Sequence, residues 1–338
     1  MFPTEILFDE IILKRGDFHT FVNFCQINKF WNGDVFWCRC YDKYYQSYGL
    51  KDIVNFKSFH ELVELCYCLD QLLQSPYFDE YRKIRVEELS PEDKEIIRPV
   101  NIRDLFSHTE LYLDNCEIKE VPQILYKLVK LESLCLAANH ITQISSNISN
   151  LINLTNIDLA ENKITELSAE FGKFKNLEKL DVSNNKITHI VPEFGDLVNL
   201  QILLLTTNQL TKIPKEFSNL SNLGLLALDD NKIETIPHEI CNLLSLRYLE
   251  LSHNRITTIP PTIGKLICLL EIDLSHNQIK DIPIEMINLI HLNKLVLNDN
   301  KIDTLPLEFF ELVNLKRFDI HHNPIRDLPS QFSYMLES

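Results

Sequence analysis

From Leu131 onward, large apolar residues recur with a period that no single helix or strand produces. Leu131, Leu154, Leu177, Leu200, Leu223, Leu246, Leu269, Leu292 and Leu315 stand 23 residues apart without a slip. Each unit reads L-x-x-L-x-L-x-x-N-x-I-x-x-I, as in Leu246, Leu249, Leu251, Asn254, Ile256 and Ile259. The L-x-L step alternates at period 2, which predicts a short strand with one buried face. A fixed repeat of this length predicts a solenoid, in which each unit is one coil and stacked coils share a continuous core.

Polar positions refine the coil. The ninth position is Asn139, Asn162, Asn185, Asn208, Asn231, Asn254, Asn277, Asn300 and Asn323 in successive units. An amide there can satisfy backbone groups where the chain leaves the strand, which predicts a ladder along the array. Pro214, Pro237, Pro260, Pro283, Pro306 and Pro329 hold the fifteenth position, fixing φ and disfavouring a long helix on the far side. A degenerate unit begins at His108 with Cys116 in the asparagine slot, so about ten coils are expected over 108–338. The array ends in "QFSYMLES", with Met335 in a leucine slot.

These motifs resemble the leucine-rich repeat family, in the 23-residue intracellular subtype with the signature N-x-I-x-x-I-P found in Ras-pathway scaffold proteins. The resemblance implies an α/β fold: a leucine-rich repeat solenoid whose curved parallel β-sheet lines the concave face, here preceded by a small all-helical N-terminal domain.

Residues 1–107 lack the repeat, contain both tryptophans and show helical periodicity. Pro3 suits a first helical turn, and Ile6, Leu7 and Ile11 make a stripe. Gly16 ends that helix, Phe18, Phe21, Val22 and Cys25 line a second, and Asp34 caps a third. The order Phe2, Pro3, Glu5, Ile6, Leu7, then Asp17 and Phe18, Cys25, Trp31 and Trp37 resembles an F-box over 1–41. It departs from that pattern in Phe2, where leucine is usual, and in a short loop before Trp37. The resemblance implies that Phe2, Pro3, Ile6, Leu7, Ile11 and Trp37 contact the adaptor subunit of a cullin-type ubiquitin ligase; the alternative is that they pack a cap over the first coil. Residues 42–107 read as a helical connector or cap, with Phe59, Leu62, Val63, Cys66 and Leu69 at helical spacing.

The outward strand rows carry the candidate binding surface. The third-position row is Ser133, Asn156, Lys179, Ile202, Leu225, Tyr248, Glu271, Lys294 and Arg317, and three apolar residues interrupt it. The fifth-position row is Cys135, Asp158, Asp181, Leu204, Ala227, Glu250, Asp273, Val296 and Asp319. Ile202, Leu204, Leu225, Ala227 and Tyr248 therefore form an apolar centre, bordered by Asp181, Asp229, Asp230, Glu250 and Asp273. An apolar centre inside a charged rim is the usual build of a protein-binding hot spot.

Charge and composition narrow the classes. A formal net charge of −15 opposes nucleic acid and anionic membrane as partners. No stretch of about 18 apolar residues predicts a membrane span or secretory leader. The 9 scattered cysteines fit a reducing compartment, so cytoplasm is expected, with the nucleus or a host's cytoplasm as variants. Seven glycines leave little for phosphate loops. Cys38, Cys40, Cys66 and Cys68 have the wrong spacing for structural zinc, and His253, His276 and His322 share one slot of the coil. No nucleophile has a readable partner. The expectation is a non-catalytic protein without cofactor, metal or small-molecule substrate. It would bind a protein on the concave face and serve a cullin-type ligase as substrate receptor; the alternative is a scaffold or signalling adaptor with no ubiquitin link.

Overall fold

The computed structural model describes residues 109–325. Over this span it contains ten three-residue strands: β1 Glu110–Tyr112, β2 Ser133–Cys135, β3 Asn156–Asp158, β4 Lys179–Asp181, β5 Ile202–Leu204, β6 Leu225–Ala227, β7 Tyr248–Glu250, β8 Glu271–Asp273, β9 Lys294–Val296 and β10 Arg317–Asp319. They form one parallel sheet in chain order, with Ile202 opposite Leu225 and Leu225 opposite Tyr248. The described region is thus the leucine-rich repeat solenoid that the periodicity predicts. The helical segments expected in 1–107, the F-box-like residues among them, and the "QFSYMLES" end lie outside the described residues.

Each strand is short because only its middle residue faces the core. Leu180, Leu203, Leu226 and Leu249 are fully buried at this position, while the residues on either side point away. The next core layer is Val182, Leu205, Leu228 and Leu251, followed by Ile187, Leu210, Ile233 and Ile256. Phe171, Phe194 and Phe217 fill the far side, with the rings of Phe171 and Phe194 stacked at 5.7 Å. The far side carries five-residue 3-10 turns such as Lys215–Asn219 and His238–Asn242, each preceded by extended backbone at Pro214 and Pro237. Adjacent turns approach closely. A Cβ on Gly195 would sit 2.5 Å from the Glu216 carbonyl oxygen, so only glycine fits there.

The asparagine ladder is complete across the described coils. Asn231 is typical: its Oδ1 accepts from the Leu210 backbone N–H of the preceding coil at 2.9 Å. Its Nδ2 donates to the carbonyls of Leu205, Leu228 and Asp229 at 3.0, 3.0 and 3.1 Å. At the degenerate first coil, Cys116 receives the ladder through its backbone N–H, which donates to Asn139 Oδ1 at 3.0 Å.

The residue before each ladder position adopts a left-handed conformation. Asn115, Ala138, Glu161, Asn184, Thr207, Asp230, His253, His276, Asp299 and His322 all have φ between 51° and 56°. That geometry aims the residue's N–H along the array, as when Thr207 N–H donates to the Asp229 carbonyl at 2.8 Å. Backbone bonding across the coils imposes the conformation, even where a β-branched threonine disfavours it.

Candidate functional site

The outward rows fall where the repeat register places them. Lys179, Ile202, Leu225, Tyr248 and Glu271 are successive cross-strand partners, as are Asp181, Leu204, Ala227, Glu250 and Asp273. Ile202, Leu204, Leu225 and Tyr248 are half-buried against one another and form a continuous apolar strip over β5 to β7. Ala227 corrects the sequence expectation. It stands in the outward row but is only 2% exposed, because its methyl group is too short to rise above its neighbours. It forms the floor of the strip and offers a partner almost no surface.

The acidic border lies where the chain leaves the strands. Asp181, Glu250 and Asp273 are the last residues of β4, β7 and β8, and Asp229 follows β6 by two residues. Three of these carboxylates are tethered. Asp181 Oδ1 accepts from Ser183 N–H at 3.0 Å. Asp229 Oδ1 accepts from Ser252 N–H at 2.9 Å and Ser252 Oγ at 2.8 Å. Asp273 Oδ1 accepts from Ser275 N–H at 3.0 Å and Ser275 Oγ at 2.6 Å. Asp230, exposed in its left-handed slot, stands outside both strand rows.

Burial pushes the Asp229 carboxyl up, and Asp273 adds to the push against the lowering bonds from Ser252. Burial likewise raises Glu250, with the charge of Asp229 next in weight. Asp158 is raised by burial and then by neighbouring Asp181. The same acidic neighbourhood, led by burial, pushes the Cys135 thiol up to about 11, so it is no nucleophile at neutral pH. Among the described residues none of Asp181, Asp229, Glu250 and Asp273 has a salt-bridge partner, whereas Glu271 pairs with Lys294 at 3.2 Å.

The histidine slot does bring its residues together. The His253 and His276 rings stack with centroids 4.0 Å apart. Asp299 faces His276 at 3.6 Å and His322 at 3.2 Å. Among the described residues no three His, Cys, Asp or Glu side chains converge as a metal site.

One surface escaped the sequence reading. Val129, Ile152, Val198, Leu244, Ile267, Ile290 and Val313 occupy a single slot two residues before each coil's first leucine, and all are exposed. Leu244, Ile267, Ile290 and Val313 reach 58%, 51%, 58% and 85%, in four adjacent coils. Their neighbours in the next slot include Asn153, Asn176, Asn199, Asn222 and Asn314, which donate to carbonyls of the preceding coil and form a second, exposed ladder. Ser245, Cys268 and His291 interrupt it. The polar occupants Lys175 and Ser221 were the available signal that this slot faces water.

Residues 226–300 match a family model described as a leucine-rich repeat region, and residues 152–210 match one described as leucine rich repeat. Among solved structures the chain is similar to a leucine-rich repeat protein of Leptospira interrogans, at 30% identity and a TM-score of 0.61, covering 68% of this chain and 65% of that one. It also resembles an internalin of Listeria monocytogenes in fold, at 24% identity and TM-score 0.61, covering 79% and 81%. The receptor kinase HAESA of Arabidopsis, solved with the peptide hormone IDA and a co-receptor, is 29% identical with TM-score 0.58, covering 64% and 38%. This chain therefore spans just under two thirds of the Leptospira protein and little over a third of the receptor. No curated protein sequence gives a significant match.

Proposed function

We propose that the chain is a non-catalytic protein-binding subunit that captures a protein on the open face of its sheet and presents it to a cullin-type ubiquitin ligase in the cytoplasm. The observation that carries the binding half is the apolar strip of Ile202, Leu204, Leu225 and Tyr248, which three adjacent strands hold in register. Contiguous apolar surface framed by charge marks an interaction site. A solved relative of the same fold was captured with a peptide hormone, which fits a repeat array that works by binding.

The ligase half rests on the F-box-like order of Phe2, Pro3, Ile6, Leu7, Ile11 and Trp37. Its test is direct binding of the purified full chain to a purified cullin adaptor. Wild type is expected to bind, and the Leu7→Asp, Ile11→Asp double variant to lose binding. No binding by wild type would remove the ligase link. It would leave the second reading, a scaffold of the Ras-pathway kind, which the N-x-I-x-x-I-P signature favours.

A further inference from the structure

The strip has two unlike long edges. On the side where the chain enters the strands stand Glu178, Gln201, Gly224 and Arg247, with Lys179 beside Ile202 in the third-position row; on the side where it leaves them stand Asp181, Asp229, Glu250 and Asp273. Lys294, the next cation along the third-position row, already pairs with Glu271. The exit edge thus presents several carboxylates that have no salt-bridge partner among the described residues, although the charge of Lys294 reaches Glu250. Burial first, then repulsion from Asp273 at Asp229 and from Asp229 at Glu250, raises both carboxyls, and an incoming cation would offset the repulsion.

Gly224 adds an independent mark. Its backbone is not left-handed, and a Cβ there would meet nothing nearer than the Gln201 carbonyl oxygen at 3.7 Å. Neither turn geometry nor packing requires glycine, unlike at Gly195. What it does is remove a side chain immediately before Leu225, between Gln201 and Arg247 in the same slot of adjacent coils, and so open the strip on its entrance side.

We infer that the occupant of this face is a protein segment with one or two apolar side chains flanked by lysine or arginine, its apolar groups on Ile202, Leu225 and Tyr248 and its cations over Asp181, Glu250 and Asp273. The inference rests on the reading that the open face binds protein, and it adds the chemistry of the partner. Apolar contact supplies desolvation at the centre, while the carboxylate edge sets orientation, encounter rate and selectivity. An acidic segment would meet like charge, so the same edge also excludes partners. Binding a cation favours the ionised form of Asp229 and Glu250, whose carboxyls are both raised, so affinity rises with pH as these two ionise.

The test uses the full chain and three fluorescent twelve-residue peptides sharing a central Leu-Ser-Phe, flanked by lysine, serine or glutamate. The lysine-flanked peptide is expected to bind about tenfold more tightly than the serine-flanked one at low salt, a gap that narrows at high salt. Three variants localise the effect. Asp181→Asn with Glu250→Gln and Asp273→Asn should remove the lysine preference; Ile202→Thr with Leu225→Thr should weaken all binding; Gly224→Gln should weaken binding with the fold intact by circular dichroism. Strip-dependent binding without lysine preference would overturn this inference and leave the face as a binding surface. A lysine preference that persists in the Ile202→Thr, Leu225→Thr variant would assign the effect to the net charge of −15, overturning the inference and removing support for the face. Absence of binding by every peptide would also overturn it.

Discussion

At the scale of single residues, the ladder asparagines tie each coil to the one before it. Asn231 makes four hydrogen bonds, three to carbonyls and one from a backbone N–H, and all but the one to the Asp229 carbonyl are buried. Asn231→Ala leaves those groups unpaired and is expected to cost about 2–3 kcal/mol, measured by urea denaturation. Thr207 shows the opposite case. It is exposed, β-branched and held at φ 54°, where asparagine sits more easily, as Asn184 does in the adjacent coil. Thr207→Asn should stabilise by about 1 kcal/mol in the same assay. Glu250 gives a pH signature. Its carboxyl titrates above the ordinary range because of burial and Asp229, so the folded state holds the proton more tightly than the unfolded one. The charged carboxylate is therefore a burden on folding at neutral pH, absent below the ordinary carboxylate range, where both states are protonated. Glu250→Gln should raise the stability read by urea denaturation at pH 7, by less than about 1 kcal/mol for a carboxyl still partly open to solvent, and leave it unchanged near pH 3.

At the scale of the coil, most of the architecture was legible and the exceptions have physical causes. The leucine register fixed which strand positions point inward, and the asparagine and proline slots fixed where the chain turns, because each is a local constraint repeated by translation. The left-handed slot was not legible: its occupants run from asparagine to threonine to histidine, since backbone bonds across the coils impose it and no glycine marks it. Ala227 was misjudged as surface because exposure of a small side chain depends on the height of its neighbours, which alternation does not record. The Leu244 to Val313 row was missed because its apolar residues stand directly beside core leucines in strings such as Leu289, Ile290, His291, Leu292. The close approach of adjacent far-side turns gives a further test: Gly195→Ala places a methyl group against the Glu216 carbonyl and should destabilise by about 1–3 kcal/mol, read by loss of far-ultraviolet signal at lower urea.

At the scale of the molecule, two apolar surfaces compete for the role of binding site. The edge row is the more exposed, with Ile267 at 51% and Ile290 at 58%, whereas the strip of the open face is half-buried but framed by carboxylates. Exposure alone favours the edge; the carboxylate frame and the side opened at Gly224 favour the face. The deciding measurement is affinity capture from one lysate by three forms of the full chain: wild type, Ile202→Thr with Leu225→Thr, and Ile267→Ser with Ile290→Ser. The account predicts that proteins held by wild type are retained by the edge variant and lost by the face variant, with both variants unfolding in urea like wild type. Retention by the face variant with loss by the edge variant would contradict it and move the binding site to the Leu244 to Val313 row.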